Sequence, residues 1–158
     1  MFDKQCKLFN NNHHPDSPDN FDAEINCDGA SSGNPGNSGI GVIIRHKPVQ
    51  SSQPAVRRIS EYIGTATNNI AEYRALIRGL KEAHAMGLKK IKVFLDSELL
   101  VKQINGIYKV KNNNLKHLWS EAQNILRKFD AYEISHVGRE LNREADSLAR
   151  QAVKPHKK

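Results

Sequence analysis

Apolar and polar residues alternate near residue 23, where Ala23, Ile25 and Cys27 interleave with Glu24, Asn26 and Asp28. A period of two predicts a strand with one drier face. The turn-rich GASSGNPGNSG follows. GIGVIIR then predicts a second strand and Val56 to Gly64 a third, with the loop HKPVQSSQPA between them. The period changes to 3.6 beyond this point. Thr67 or Asn68 can cap a helix running to about Met86, and Gly87 suits its end. IKVFL is apolar on both faces, as a central strand covered from two sides requires. Ser97 can cap a helix through Ile104, a longer helix fits Leu115 to Phe129, and Tyr132 to Val137 reads as the last strand. A final helix from Asn142 to Val153 carries Ala145, Leu148, Ala149, Ala152 and Val153 as its apolar stripe. The order βββαβααβα predicts an antiparallel meander followed by parallel additions, in one mixed sheet flanked by helices.

This organisation occupies residues 23–153 as one domain, which is what 158 residues allow. Residues 1–22 are rich in Asn, His, Asp and Pro and are expected to form a flexible extension, with the paired His13 and His14 read as solvated polar groups. Residues 154–158 are expected to form a short basic tail. The net charge is +7. The leader holds two lysines against four aspartates, so the positive excess belongs to the folded part. Cys6 and Cys27 follow no disulfide or zinc spacing, which argues for a reducing compartment, and Cys27 reads as a small core residue. No apolar run approaches the roughly 20 residues that cross a bilayer. The expected setting is soluble and cytoplasmic, without membrane contact.

Against this basic background, four acids stand at element boundaries. Asp28 is expected to end the first strand, Glu72 to open the first long helix, Asp96 to follow IKVFL and Asp146 to open the last helix. Tyr73, Leu76, Ile77 and Leu80 mark the buried stripe of the first long helix, and Arg74, Arg78, Lys81 and Glu82 its wet side. At about 100° per residue Glu72 falls on neither; it shares a flank with the small residues Gly79 and Ala83. Asp146 falls about 90° from its own apolar stripe. Asp96 lies at the carboxyl end of a strand, where α/β sheets gather ligands. Each acid also has an ordinary reading: Asp96 as a helix cap, Asp146 as a first-turn acid, Asp28 as the start of an Asp-Gly turn, and Glu72 as a helix-flank acid. Gathered in one place they would repel one another and resist ionisation unless divalent cations removed the cost. An acidic pocket in a basic surface points to metal-assisted chemistry on a polyanion.

Four stretches, DGASSGNPG, TNNIAEYRALIRGL, VFLDSELLVKQING and SHVGRELNREADSLARQA, resemble the successive signature blocks of type 1 ribonuclease H, in the family's order and at similar separations. The resemblance covers residues 23–153. It implies an α/β ribonuclease H-like fold with a five-stranded mixed sheet in the order 3-2-1-4-5. It implies endonucleolytic cleavage of the RNA strand of RNA/DNA hybrids, leaving 5′-phosphate and 3′-hydroxyl ends. Asp28, Glu72, Asp96 and Asp146 match the family's metal-binding quartet. Oxygen donors suit two ions of Mg²⁺, with Mn²⁺ as the alternative. His136 matches the family's mobile histidine, whose rival role is an ordinary strand-end residue; Arg139 is a second candidate for that auxiliary function. Asn34, Asn68 and Asn69 match contacts to the hybrid, and Thr67 matches a DNA-phosphate contact, besides their local turn and cap chemistry.

The chain departs from its relatives in three places. Glu98 stands where many have glutamine after Asp-Ser, and an acid there accepts hydrogen bonds without donating them. GIYKVKNNNLKHL passes quickly between helices, leaving no long basic handle. The segment VGRELNRE lacks a glycine-rich loop. Affinity then rests on dispersed cations such as Lys102, Lys109, Lys111 and Lys116, with a steep salt dependence. The expected partner is the hybrid duplex, bound by a monomer. The contrasting reading is a non-catalytic hybrid-binding module of the same fold.

Overall fold

The computed structural model describes residues 20–48 and 50–156. The expected leader up to residue 19, with Cys6, His13 and His14, lies outside the described residues, as do residues 157 and 158 of the expected tail.

Strands β1 (Ala23–Gly33), β2 (Gly36–His46) and β3 (Ala55–Ala66) are followed by helix α1 (Asn68–Ala85), strand β4 (Lys90–Leu95), helices α2 (Glu98–Ile104) and α3 (Asn113–Leu126), strand β5 (Ala131–His136) and helix α4 (Arg143–Val153). The sheet runs β3-β2-β1-β4-β5. The first three strands pair antiparallel, and β4 joins β1, and β5 joins β4, in parallel. The expected order and strand directions are therefore those observed.

Several boundaries differ from the sequence reading, among them the third strand, which runs to Ala66, and α3, which ends at Leu126 rather than Phe129; two of the differences have a clear physical cause. GASSGNPGNSG is mostly strand: β1 and β2 stay in register up to Gly33 opposite Gly36, leaving only Asn34-Pro35 to turn the chain, through a cis peptide bond. Small polar residues read as a turn wherever no partner is known, but continuous ladder pairing satisfies their backbone groups. As a result Asp28 lies within β1, opposite Gly41, and does not end it. It does sit one residue past the last pairing with β4, Cys27 opposite Leu95. The second difference is α3, which begins before Leu115 because Asn112 caps it, its Oδ1 accepting from Asn114 N at 2.8 Å and Leu115 N at 3.2 Å.

The sheet is covered on both faces, unequally. Ile25, Cys27, Val42 and Ile44 face α1 and join Tyr73, Leu76, Leu80, Ile104, Leu126 and Phe129 in the main core. Among the described residues, the opposite face of β1 and β2 is covered chiefly by α4, through Ala145, Ala149 and Val153. That layer is thin because a Cβ on Gly41 would meet Ala145 O, and would lie 2.7 Å from Ala149 N. Asn26 and Asp28, read as the wetter face of β1, are 8% and 7% exposed beneath this helix. Glu82, expected on the wet side of α1, is likewise mostly covered, held between Arg57 and Arg78.

The ends of the domain are tied to the sheet. Asp22 accepts from Lys89 N and Lys90 N through Oδ2 at 2.8 and 2.9 Å. Residues Lys154–His156, expected as the start of a tail, form a helical turn in which His156 stacks on Tyr62 at 3.6 Å between ring centroids. Among the described residues, no helix is long and apolar enough to cross a membrane.

Candidate active site

The quartet converges because backbones approach closely on either side of Asp28. Next to it, a Cβ on Gly29 would come within 2.6 Å of Ala71 O and Glu72 N, so only glycine lets α1 lie against β1 and deliver Glu72. Opposite Asp28 in the ladder, Gly41 admits α4, whose fourth residue is Asp146. Asp96 enters from the end of β4, where the parallel ladder stops.

Oxygens of Asp28, Glu72 and Asp96 all lie within 4.8 Å of one another. Asp146 stands beside them, within hydrogen-bonding reach of the Asp28 carboxyl, and is also paired with Arg150. Burial, then the neighbouring charge of Asp96 and the contact with Asp146, push the Asp28 carboxyl up to about 8. Glu72 is pushed up to about 7 by burial and by Asp96, against the opposing pull of a hydrogen bond from Ser97 and the charge of Arg139. An all-oxygen cluster of carboxylates that resist ionisation is the donor chemistry that fits a hard divalent cation. The ordinary reading of Asp96 as a helix cap fails: Ser97 caps α2, its Oγ accepting from Leu100 N at 3.2 Å.

Asp28, Glu72, Asp96 and Asp146 floor an open groove of about 1320 Å³. Arg139, Arg143, Arg150 and Lys154 line it as a basic rim, with Asn68 among its other walls. The structure thus brings Arg139 to the groove. His136 is exposed at the end of β5, opposite Leu95 in register, and is not among the lining residues. The candidate substrate contacts form one cluster: Asn34 Oδ1 accepts from Asn68 N at 2.9 Å, and Thr67 Oγ1 accepts from Ile70 N at 3.2 Å to cap α1. Asn34, Asn68 and Asn69 are all exposed. Glu98 is exposed and pairs with Lys102 at 3.5 Å.

Sequence reasoning singled out neither Arg143 nor Arg150, and it took Asn142 only as the start of the last helix. Asn142 is 1% exposed and makes no side-chain cap; its amide points inward. Its one sequence signal is a partner on β1, Asn26, an amide two positions from Asp28.

Fold and site together define the ribonuclease H-like class. The family described as reverse transcriptase-like matches residues 26–152. The bifunctional protein Rv2228c of Mycobacterium tuberculosis is 38% identical over 129 residues, which are 82% of this chain and 35% of that one. The crystal structure of RNase H1 from the halophilic archaeon Halobacterium salinarum superposes with a TM-score of 0.77 at 35% identity, covering 84% of this chain and 98% of that one. LC11-RNase H1, solved in complex with an RNA/DNA hybrid, gives a TM-score of 0.73 at 35% identity, covering 85% and 98%. The chain belongs to the type 1 ribonuclease H family. It spans about a third of the length of the mycobacterial relative.

Proposed function

We propose that this protein is an endoribonuclease that hydrolyses the RNA strand of RNA/DNA hybrids, with residues 23–153 as its catalytic domain. The observation that carries the reading is the cluster of Asp28, Glu72 and Asp96, with oxygens within 4.8 Å, on the floor of a groove with a basic rim. Asp28, Glu72, Asp96 and Asp146 would hold two Mg²⁺ ions, or Mn²⁺ in their place. Bound there, such ions lower the pKa of an attacking water and neutralise charge on the phosphate.

The chain's own residues divide the remaining work. The basic rim draws in the backbone and offsets the field of the carboxylates. Water oxygen bonds to phosphorus and releases a proton to solvent, the bond to the 3′ oxygen breaks, and that oxygen takes a proton. The ends left are a 5′-phosphate and a 3′-hydroxyl. Arg139, in the groove, acts on the scissile phosphate, and His136 at the strand end serves proton transfer or product release. Asn34, Asn68 and Asn69 read the minor groove, where the 2′-hydroxyl separates RNA from DNA, while Thr67 takes a phosphate of the DNA strand. We assign the protein to the cytoplasm as a monomer.

An end-labelled hybrid incubated with Mg²⁺, beside RNA/RNA and DNA/DNA duplexes, tests the reading. A product ladder from the hybrid alone, absent in EDTA, is expected. Hybrid binding in EDTA with no cleavage in Mg²⁺ would instead make the chain a binding module of this fold.

A further inference from the structure

We infer that Arg45, Asn26 and Asn142 form a polarity relay that fixes the orientation of the Asp96 carboxylate from outside the groove. The inference rests on the nuclease reading for the role of Asp96.

The groups make an unbroken line across the α4 face of the sheet. Arg45 on β2 is anchored at the surface by Glu144, Nη2 to Oε1 at 2.5 Å, and its Nη1 donates to Asn26 Oδ1 at 3.2 Å. Asn26 Nδ2 donates to Asn142 Oδ1 at 2.9 Å. Asn142 Nδ2 donates to Cys27 O at 2.9 Å and to Asp96 Oδ2 at 3.4 Å. Both amides are buried, at 8% and 1% exposure.

A carboxamide is nearly symmetric in shape but opposite in hydrogen-bonding sense at its two ends. Space alone would let either asparagine sit both ways round. A guanidinium has donors only, so Asn26 must turn its oxygen to Arg45. That leaves its N–H for Asn142, which must answer with oxygen and therefore send its own N–H groups toward Cys27 O and Asp96. The far end agrees, because Cys27 O and Asp96 Oδ2 both stand as acceptors of the Asn142 N–H groups. Turning over either amide would set like against like in a place water does not reach, which is where such a mismatch is most costly. The directed N–H matters at Asp96 because that carboxylate faces other acids that would repel it into another rotamer. Arg45 and Asn26 do not line the groove and so are positioning residues.

Three variants of the full chain test this, with Mn²⁺ binding measured by calorimetry in the absence of hybrid and melting temperature recorded alongside. Asn26→Asp keeps the acceptor for Arg45 and the shape, but has no N–H for Asn142, which must then present oxygen to Asp96. Arg45→Met, at a surface position, removes the donor that sets the polarity; Arg45→Lys restores a donor-only group. Both Asn26→Asp and Arg45→Met make the protein more negative, so charge alone would tighten cation binding. The relay requires the opposite sign: Mn²⁺ affinity falls about ten-fold in Asn26→Asp, as for other groups that orient a metal ligand. It falls less in Arg45→Met and stays near wild type in Arg45→Lys. Unchanged or tighter Mn²⁺ binding in Arg45→Met and in folded Asn26→Asp would overturn the relay while leaving the nuclease reading intact. A wild-type chain that binds no Mn²⁺ would remove both.

Discussion

The two faces of the sheet solve different problems. The α1 face buries Ile25, Val42, Ile44, Leu76, Leu80 and Leu126 in a thick apolar layer, and its tolerance lies in volume. The α4 face has glycine on the strand and alanine on the helix at its closest contact, and beside them Asn26, Asp28 and Asn142, all buried. One face supplies stability through dispersion and water exclusion, while the other gives up side-chain volume so that backbones can bring charged groups together. The candidate site lies where the second face meets the open end of β4.

The largest effect should come from the charge cluster itself. Asp28→Asn is expected to lower hybrid cleavage in Mg²⁺ by more than about 100-fold, since it removes the ligand at the centre of the quartet; initial rates on a labelled hybrid check this. Next come the close approaches. Gly29→Ala should cost about 1–3 kcal/mol in denaturant unfolding, because a Cβ there meets the backbone of α1, and should depress activity further by moving Glu72. Leu76→Ala, in the thick layer, should cost about 2–5 kcal/mol yet leave the kcat of the folded fraction within a few-fold of wild type. If Leu76→Ala damaged turnover more than Gly29→Ala did, the division of labour between the faces would be wrong.

A subtler separation uses pH. Asp28 and Glu72 titrate at about 8 and about 7 folded, against ordinary values of 3.8 and 4.5, so the metal-free folded state holds protons that the unfolded chain has released. The stability they lend is complete below about pH 4 and is lost as pH rises through 7 to 8. Thermal melts in EDTA should therefore fall across that window, and Asp28→Asn, which cannot ionise, should flatten the fall and melt on the order of 5 °C above wild type at pH 8. Saturating Mg²⁺ should reverse the order, because ligand bound to the folded state stabilises it. The smallest effect is expected at the periphery: Lys109→Ala or Lys116→Ala, at exposed positions, should weaken hybrid binding a few-fold and reduce its salt slope by about one unit.

How much of this was legible in the sequence follows from which forces are local. The helices announced themselves by periodicity and caps: Thr67 and Ser97 cap where expected, and Tyr73, Leu76 and Leu80 are buried as their spacing requires. The placement of the acids near one crevice was partly readable from strand ends and helix flanks, and the signature blocks supplied the rest. Two things were not legible. GASSGNPGNSG has no strand propensity of its own and becomes strand through pairing with β2, a long-range fact. The burial of Asn26 was hidden because alternation marks a polar position as wet, and only the placement of α4 makes it dry. Asn142 follows the same rule: its cap position is local and visible, its inward amide is neither.

The central claim is that four acids far apart in the chain share a pair of cations. Crystals soaked in Mn²⁺ and measured at the manganese absorption edge would test it most directly. Two anomalous peaks should appear in the groove, both touching Asp28 and divided among Glu72, Asp96 and Asp146. Soaked crystals with no peak among these carboxylates, or with manganese elsewhere on the surface only, would contradict the account.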